Sequence, residues 1–184
     1  MRKLFLCLSL VAVATLMSSC LTTTEPQYSP EIYTSSFYVN PVFAGDSLVR
    51  AKDTLDLFYD SADGSYELDT VYVGDTVMFA STYYTLNSNL VAVKVDWDSL
   101  RMNLWYTLRE DIEKVLTSES KVEMGSLYFN SGYNRVSFPV YFSPIVKGGM
   151  TLKLTVESDS EFSTSSVLFY IPVKEQVADS VAVN

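Results

Sequence analysis

Residues 135–173 read RVSFPVYFSPIVKGGMTLKLTVESDSEFSTSSVLFYIPV, and this stretch decides the fold. Apolar and polar residues alternate in three runs, at residues 136–142, 150–156 and 167–173. Successive side chains of a β-strand point to opposite faces, so each run has one face to bury and one face for solvent. Turn-forming residues separate the runs, namely Ser143-Pro144, Gly148-Gly149 and Ser158-Asp159-Ser160. The pattern predicts three consecutive β-strands.

The first 20 residues have the pattern of a secretory signal that ends at a cysteine. Arg2 and Lys3 form a basic start, residues 4–17 are apolar, and small residues precede Cys20. A membrane-spanning helix would need about 20 apolar residues, and this run is shorter. The segment resembles the lipobox of bacterial lipoproteins. The resemblance implies that residues 1–19 are a signal peptide, that Cys20 is acylated, and that the protein is anchored in the cell envelope through this lipid.

The residue after the cysteine bears on the membrane that holds the protein. In enteric bacteria an aspartate at that position signals retention in the inner membrane, and Leu21 stands there instead. The lipoprotein resemblance therefore implies an outer-membrane lipoprotein, with the folded part facing either the periplasm or the cell surface.

The charge balance excludes several kinds of partner. The full chain has 13 Lys plus Arg and 22 Asp plus Glu, for a formal charge of −9. Loss of Arg2 and Lys3 with the signal peptide makes this −11. Nucleic-acid binding depends on basic side chains that neutralise phosphates, so we expect no nucleic-acid partner. Membrane contact should come from the lipid anchor.

Residue types that are missing exclude most common catalytic chemistry. The chain has no histidine, which rules out His-containing metal sites, Ser-His-Asp and Cys-His catalysis, and histidine pH switches. Its two cysteines are Cys7, in the predicted signal peptide, and Cys20, so the mature chain can form no internal disulfide. We expect no enzymatic activity, no metal and no cofactor.

The remaining chain divides into three parts by pattern. Residues 20–30 carry two prolines and no periodicity, which predicts a tether, with an irregular first strand as the alternative. Residues 31–63 contain strand patterns that complete or extend a sandwich, and residues 31–43 among them are expected to form one strand ending near Asn40-Pro41. Residues 64–175 form the main β-domain, followed by a tail at 176–184. Gly74 interrupts an apolar run at 71–80, which predicts a bulge or a strand that crosses between sheets.

One helical signal interrupts the strands, at residues 107–116. Leu108, Ile112, Val115 and Leu116 share one helical face, while Thr107 and Glu110 have capping-box spacing. The preceding residues 99–106 fit either a helical or a strand period. We expect a short helix packed across one end of a sandwich.

The strand patterns resemble a known family. The segment from Val136 to Pro144, Gly148, the Leu-Lys-Leu-Thr-Val run at 152–156 and Ser158-Asp159 resemble the last strands of Hydin-like (major-sperm-protein-like) immunoglobulin domains. Residues 73–79 and 89–96 look like earlier strands of such sandwiches, so the resemblance covers about residues 71–173. It implies an all-β, Ig-like antiparallel sandwich that serves as a non-catalytic binding or spacer module, here with one short helix and an extra N-terminal strand pair.

Few residues suggest a binding site. An aromatic platform for a glycan or a partner protein could be formed by Trp105, Tyr83 and Tyr84, with Tyr106 and Tyr133, although tyrosine is common in β-strands in any case.

The acidic residues give no clear metal site. Asp96 and Asp98 have the spacing of a strand-face carboxylate pair but no third ligand, and Asp63-Gly64 fits a hairpin turn better than a calcium loop. Trp97 is expected in the core.

Two functions remain open on the sequence. The first is a non-catalytic envelope lipoprotein that presents an Ig-like surface for adhesion, assembly or scaffolding, with another envelope protein as partner. The alternative is a carbohydrate-binding component of a glycan-uptake system. Exposure of the aromatic side chains on a shared face would favour the alternative.

Overall fold

The computed structural model describes residues 28–176, which form two β-sheets packed face to face. The predicted signal peptide, Cys20, most of the predicted tether and most of the predicted tail lie outside the described residues. The helices of the described part include none with the length and apolar character needed to cross a membrane.

The chain forms strands through most of this range. In chain order they are β1 (Glu31–Thr34), β2 (Phe37–Val39), β3 (Val42–Ala44), β4 (Ser47–Arg50), β5 (Asp53–Leu55), β6 (Leu57–Asp60), β7 (Ser65–Leu68), β8 (Val71–Tyr72), β9 (Val77–Tyr84), β10 (Leu90–Trp97), β11 (Met102–Tyr106), β12 (Ser126–Tyr128), β13 (Arg135–Pro144), β14 (Gly148–Ser158) and β15 (Thr164–Lys174).

The first sheet has the strand order β11-β13-β9-β2-β5, and β1 also pairs with β9. All pairings in this sheet are antiparallel. In β13 the even-numbered residues from Val136 to Pro144 are buried, and the odd-numbered ones are exposed or half-buried. The alternation seen in the sequence thus places one face of β13 on the core and the other toward solvent.

The second sheet has the order β12-β10-β14-β15-β7-β6, and β8 pairs with β15. The long strands β14 and β15 form an antiparallel hairpin, whereas β7 and β8 run parallel to β15. A small separate hairpin, β3 with β4, completes the strand pairing. This architecture confirms the predicted Ig-like sandwich and the three C-terminal strands.

Facing aromatic rings form the centre of the core. Phe37 and Phe79 of the first sheet stack with ring centroids 4.4 Å apart, and Phe169 of the second sheet lies 5.4 Å from Phe37. All three side chains are almost fully buried. Because each such ring removes a large apolar area from water, this cluster holds the two sheets together.

The chain crosses from one sheet to the other at Gly74, which is one of the two alternatives that its position in the apolar run predicted. β8 before it belongs to the second sheet, and β9 after it belongs to the first. Gly74 has φ of +84°, a left-handed conformation that only glycine adopts without steric cost.

The predicted helix is present but much shorter than expected. α1 spans Glu110–Glu113, its N-cap is Arg109, and no side chain caps it. The predicted capping box at Thr107 is therefore wrong. The preceding residues form the edge strand β11, where pairing with β13 supplies backbone hydrogen bonds that a helix would have had to provide. Only Ile112 of α1 is buried.

The N-terminal strand pattern is also more broken than the sequence predicted. Residues 31–43 were expected to form one strand ending near Asn40-Pro41, and they form β1, β2 and the start of β3. Asn40 has φ of +47°, which turns the chain between β2 and β3. β6 and β7 lie on either side of the predicted boundary between residues 63 and 64, and they pair as a hairpin.

Candidate functional site

The three aromatic residues predicted to share a platform lie in three different environments. Trp105 is on the outer face of β11 with 42% of its surface exposed, whereas Tyr83 is completely buried in the core. Tyr84 is half-buried on the outer face of β9, paired with Arg135 of β13. Arg135 is six residues from the strand partner of Trp105, which corresponds to about 20 Å along a strand. The predicted platform of Trp105, Tyr83 and Tyr84 is therefore wrong as a set.

Tyr83 is a core residue with an unusual polar group. Its ring stacks on Phe138 at a centroid distance of 5.4 Å, and no hydrogen-bond partner for its hydroxyl is found among the described residues. Burial raises the pKa of Tyr83 far above its ordinary value, and the neighbouring Ser81 opposes that shift only in part. Tyr83 therefore contributes to packing and cannot contact a ligand at the surface.

Trp105 instead has a different aromatic neighbour, Tyr141 of β13. The two residues are direct cross-strand partners, and their rings are parallel within 5° with centroids 5.7 Å apart. The row continues across the sheet, because Tyr141 pairs with Met78 and Met78 pairs with Tyr38. Four strands thus place large side chains in one row on the outer face of the first sheet.

A shallow groove of about 390 Å³ lies beside the Trp105–Tyr141 pair. We call it the aromatic groove, and its lining consists of Asn40, Pro41, Phe43, Thr76, Trp105 and Tyr141. Phe43 comes from the β3–β4 hairpin and is 36% exposed. Three aromatic side chains from three separate strands, β3, β11 and β13, therefore border one open concavity.

The aromatic groove has no charged residue in its lining, although the protein is strongly acidic. The outward positions around it on β9, β11 and β13 are also uncharged, namely Met78, Ala80, Thr82, Asn103, Ser137, Pro139 and Ser143. Charges on this face of these strands occur at the far end, where Arg135 lies beside Tyr84. A ligand in the groove would meet rings, hydroxyls and amides.

The floor of the groove is fixed by a buried carboxylate. Asp75 is 2% exposed and accepts hydrogen bonds from the Asn40 side-chain amide at 2.7 Å and from the Lys52 ammonium at 3.1 Å. The Asn40 side-chain oxygen in turn accepts from the Thr76 backbone N–H at 2.8 Å. Asn40 and Lys52 are at the two ends of the β3–β4 hairpin, so Asp75 holds the base of the hairpin next to the groove.

Two of the acidic residues considered from the sequence, Asp98 and Asp63, have structural roles. The Asp98 carboxylate accepts from the Leu100 N–H at 3.3 Å and lies 3.9 Å from the Arg101 guanidinium, which is the geometry of a turn. Asp63 accepts from the Ser65 backbone N–H and hydroxyl, which hold the pKa of this carboxyl below its usual range. Within residues 28–176, no group of three acidic or sulfur ligands could hold a metal ion.

Two other concavities have no stacked pair of aromatic rings in their lining. A cleft of about 460 Å³ lies between α1 and the start of β13, where the Arg109 guanidinium is already paired with Asp111 at 3.1 Å. A second concavity, of about 330 Å³, lies beside Trp97, which is half-buried against the core as part of β10. The aromatic groove is the candidate binding site because a stacked pair of aromatic rings, Trp105 and Tyr141, borders it.

Comparison with known proteins leaves the family of the chain open. No protein-family model matches it, and no curated protein matches it either. Among solved structures, it is similar to a family 123 glycoside hydrolase from Clostridium perfringens that acts on glycolipid glycans, with 13% identity and a TM-score of 0.41. That match covers 82% of this chain but 28% of the hydrolase, so the chain spans about a quarter of its length.

Two single-domain structures are also similar. The ASH/PapD-like domain 7 of human CEP192 has 11% identity and a TM-score of 0.34, with 74% of this chain and all of that domain covered. AggA, the major subunit of an Escherichia coli aggregative adherence fimbria, has 11% identity and a TM-score of 0.32, and the match covers 82% of this chain and all of the AggA chain. These scores are too low for the similarities to indicate a function for this chain.

Sequence reasoning found Trp105 and missed Tyr141 and Phe43. Tyr141 occupies an outward position in the strand pattern of residues 136–142, so its exposure was predictable. Its pairing with Trp105 was not, because the register between β11 and β13 depends on tertiary contacts. Phe43 was assigned to the first strand pattern, and the sequence carries no signal that it approaches β11.

Proposed function

We propose that this chain is a non-catalytic, lipid-anchored envelope protein that binds neutral glycans through the aromatic groove. The observation that carries the proposal is the parallel pair Trp105 and Tyr141 beside Phe43 in an uncharged groove. The apolar faces of sugar rings pack on aromatic side chains, and nearby polar groups fix their orientation. The chain would act by holding a glycan at the envelope.

Neutral glycans fit this groove better than charged ones. The groove lining offers no cation to pair with a carboxylate or sulfate, and the net charge of the mature chain is strongly negative. Polyanionic glycans would therefore be repelled on approach and would find no compensating ion pair in the groove.

Two features support a binding role without catalysis. The chain contains no histidine, and the groove lining contains no carboxylate, amine or thiol that could act as a general base or nucleophile. The predicted lipid on Cys20 and the tether would hold the domain at the outer membrane. Their support comes from the signal-peptide and lipobox pattern of residues 1–20.

The test is retardation of the purified protein in native gels that contain a neutral polysaccharide, with dextran, mannan and galactan as probes and polygalacturonate as the charged comparison. We expect retardation by at least one neutral polymer and none by polygalacturonate. Trp105→Ala and Tyr141→Ala should each weaken binding about tenfold, since loss of one stacked ring costs about 1.4 kcal/mol. Absence of binding to all three neutral polymers would overturn the proposal.

The matched control is Tyr84→Ala, which removes a half-buried tyrosine from the same sheet face at the opposite end. We expect this variant to bind like the unmodified protein. If Tyr84→Ala weakens binding as much as Trp105→Ala does, the glycan does not occupy the groove.

A further inference from the structure

A second surface of interest is the open edge of the second sheet. β6 (Leu57–Asp60) is the last strand of the second sheet in the described part of the protein, and its other edge has no strand beside it there. Phe58 and Tyr59 on this strand are 58% and 61% exposed. An open edge with large exposed apolar side chains favours pairing with another strand.

The hydrogen bonds of the β6–β7 hairpin show which backbone groups point outward. The Asp56 carbonyl accepts from the Asp69 N–H at 3.1 Å, and the Asp60 carbonyl accepts from the Gly64 N–H at 3.0 Å. Backbone groups alternate in direction along a strand, so the even-numbered residues point toward β7. The N–H and C=O groups of Leu57 and Tyr59 therefore point to the open edge.

The side chains on this edge have a regular pattern of charge. Phe58 and Asp60 of β6 alternate with Leu57 and Tyr59, and Asp56 directly precedes the strand with its carbonyl bonded to the Asp69 N–H. Leu57 packs on the core, so strand alternation places both carboxylates on the outer side with the phenyl ring. Glu67 of β7 is the cross-strand partner of Phe58 and lies on the same face. We call this set, Asp56, Phe58, Asp60 and Glu67, the acidic edge.

We propose that the acidic edge binds an extended segment of another protein. This segment has a central apolar residue, with one basic residue two positions before it and one basic residue two positions after it. An added antiparallel strand would exchange backbone hydrogen bonds with Leu57 and Tyr59. Its apolar residue would lie opposite Phe58, and its Lys or Arg residues would lie opposite Asp56 and Asp60. Opposite charges at directly paired positions stabilise a sheet.

The charge pattern argues against a second copy of this chain as the occupant. Antiparallel self-pairing centred on Phe58 would place Asp56 opposite Asp60 twice, and like charges in directly opposed positions destabilise a sheet. The chain also contains no pair of Lys or Arg residues spaced four apart. Residues 20–27 and 177–184 contain no Lys or Arg, so charge does not favour the chain's own ends.

The experiment uses fluorescence anisotropy of labelled peptides with the purified protein. The probe peptide has the core Lys-Thr-Val-Thr-Lys. The first comparison peptide has the core Glu-Thr-Val-Thr-Glu. The second comparison peptide has the same core as the probe, with the backbone nitrogens of both threonines methylated. We expect the basic peptide to bind at least tenfold tighter than either comparison, because the first lacks charge complementarity and the second cannot donate to the edge. Equal binding of the methylated peptide would overturn strand addition.

Protein variants locate the binding to this edge. The double variant Asp56→Asn, Asp60→Asn keeps side-chain size and the Asp60 acceptor for the Ala62 N–H, and it should weaken binding of the basic peptide at least tenfold. The control double variant Asp46→Asn, Glu161→Gln removes the same charge from exposed positions elsewhere and should leave binding unchanged. Failure of the basic peptide to bind, or equal losses in the two double variants, would contradict the proposal.

Discussion

At the scale of single residues, the hydroxyl groups of the buried Tyr83 and the half-buried Tyr106 differ in their partners. The Tyr106 hydroxyl donates to the Val122 carbonyl, whereas no partner is found for the Tyr83 hydroxyl among the described residues. A buried polar group without a partner loses its hydrogen bonds to water and gains none in return. Tyr83 is therefore a site where the native residue lowers the stability of the fold.

This difference gives a prediction for two matched substitutions. Tyr83→Phe should raise the free energy of unfolding by about 1 kcal/mol, because it removes an unsatisfied hydroxyl and keeps the ring packed on Phe138. Tyr106→Phe should lower it by about 1 kcal/mol, because it leaves the Val122 carbonyl without its donor. Urea unfolding followed by circular dichroism measures both. A destabilised Tyr83→Phe protein would show that Ser81 is a real partner of the phenol.

The same two side chains make the fold sensitive to alkali. Burial raises the pKa of Tyr106 to about 12, and it raises that of Tyr83 as well, from an ordinary value of 10.0. Above pH 10 the unfolded chain loses phenol protons that the folded chain retains, so stability falls as the pH rises. Either phenylalanine variant should make this alkaline loss less steep in the same unfolding assay.

At the scale of secondary-structure elements, close backbone contacts set which glycines are replaceable. Gly125 ends the 3-10 turn at Val122–Met124 with φ of +72°, and its carbonyl accepts from the Val95 N–H of β10 at 2.8 Å. A Cβ at Gly125 would collide with the Val95 carbonyl oxygen. Gly45, in the β3–β4 hairpin, has φ of +60° and nothing within 4 Å of the same position.

We therefore expect substitution by alanine to lower the free energy of unfolding by different amounts at the two glycines. Gly45→Ala should lower the free energy of unfolding by about 1 kcal/mol, the cost of a left-handed alanine. Gly125→Ala should lower it by about 3 kcal/mol, because displacement of the turn from β10 adds to that cost. Urea unfolding of both variants provides the comparison. Equal losses would show that the 3-10 turn moves away from β10 without resistance.

At the scale of the whole molecule, the two proposed surfaces lie on different sheets of one sandwich. The aromatic groove is on the outer face of the first sheet, and the acidic edge is on the last strand of the second. The aromatic core between Phe37, Phe79 and Phe169 joins the sheets. Because the two surfaces do not overlap, the proposed glycan and the proposed protein segment would be able to bind at the same time.

The predicted anchor belongs to this scale and is tested in cells. Cys20→Ser should abolish incorporation of labelled fatty acid and move the protein from the membrane fraction to the soluble fraction. Cys7→Ser should change neither, because Cys7 lies in the segment predicted to be removed. A membrane fraction that is unchanged in Cys20→Ser would refute lipid anchoring.

The sequence by itself determined the features that depend on local pattern. The alternation in residues 135–173 defined β13, β14 and β15, and Gly74 marked a break in its apolar run that was either a bulge or a crossing between sheets. Side-chain period and backbone freedom are properties of a few neighbouring residues, so the sequence carries them. The helix at residues 107–116 was overestimated, since its apolar positions pack on the core without helical geometry.

Only the tertiary structure decided which distant residues meet. The register between β11 and β13 brought Tyr141 beside Trp105, the β3–β4 hairpin brought Phe43 to the same groove, and the packing of β9 buried Tyr83. The open edge of β6 likewise depends on strand order. These features follow from pairings between residues far apart in the chain, and a local pattern of apolar and polar residues does not encode such pairings.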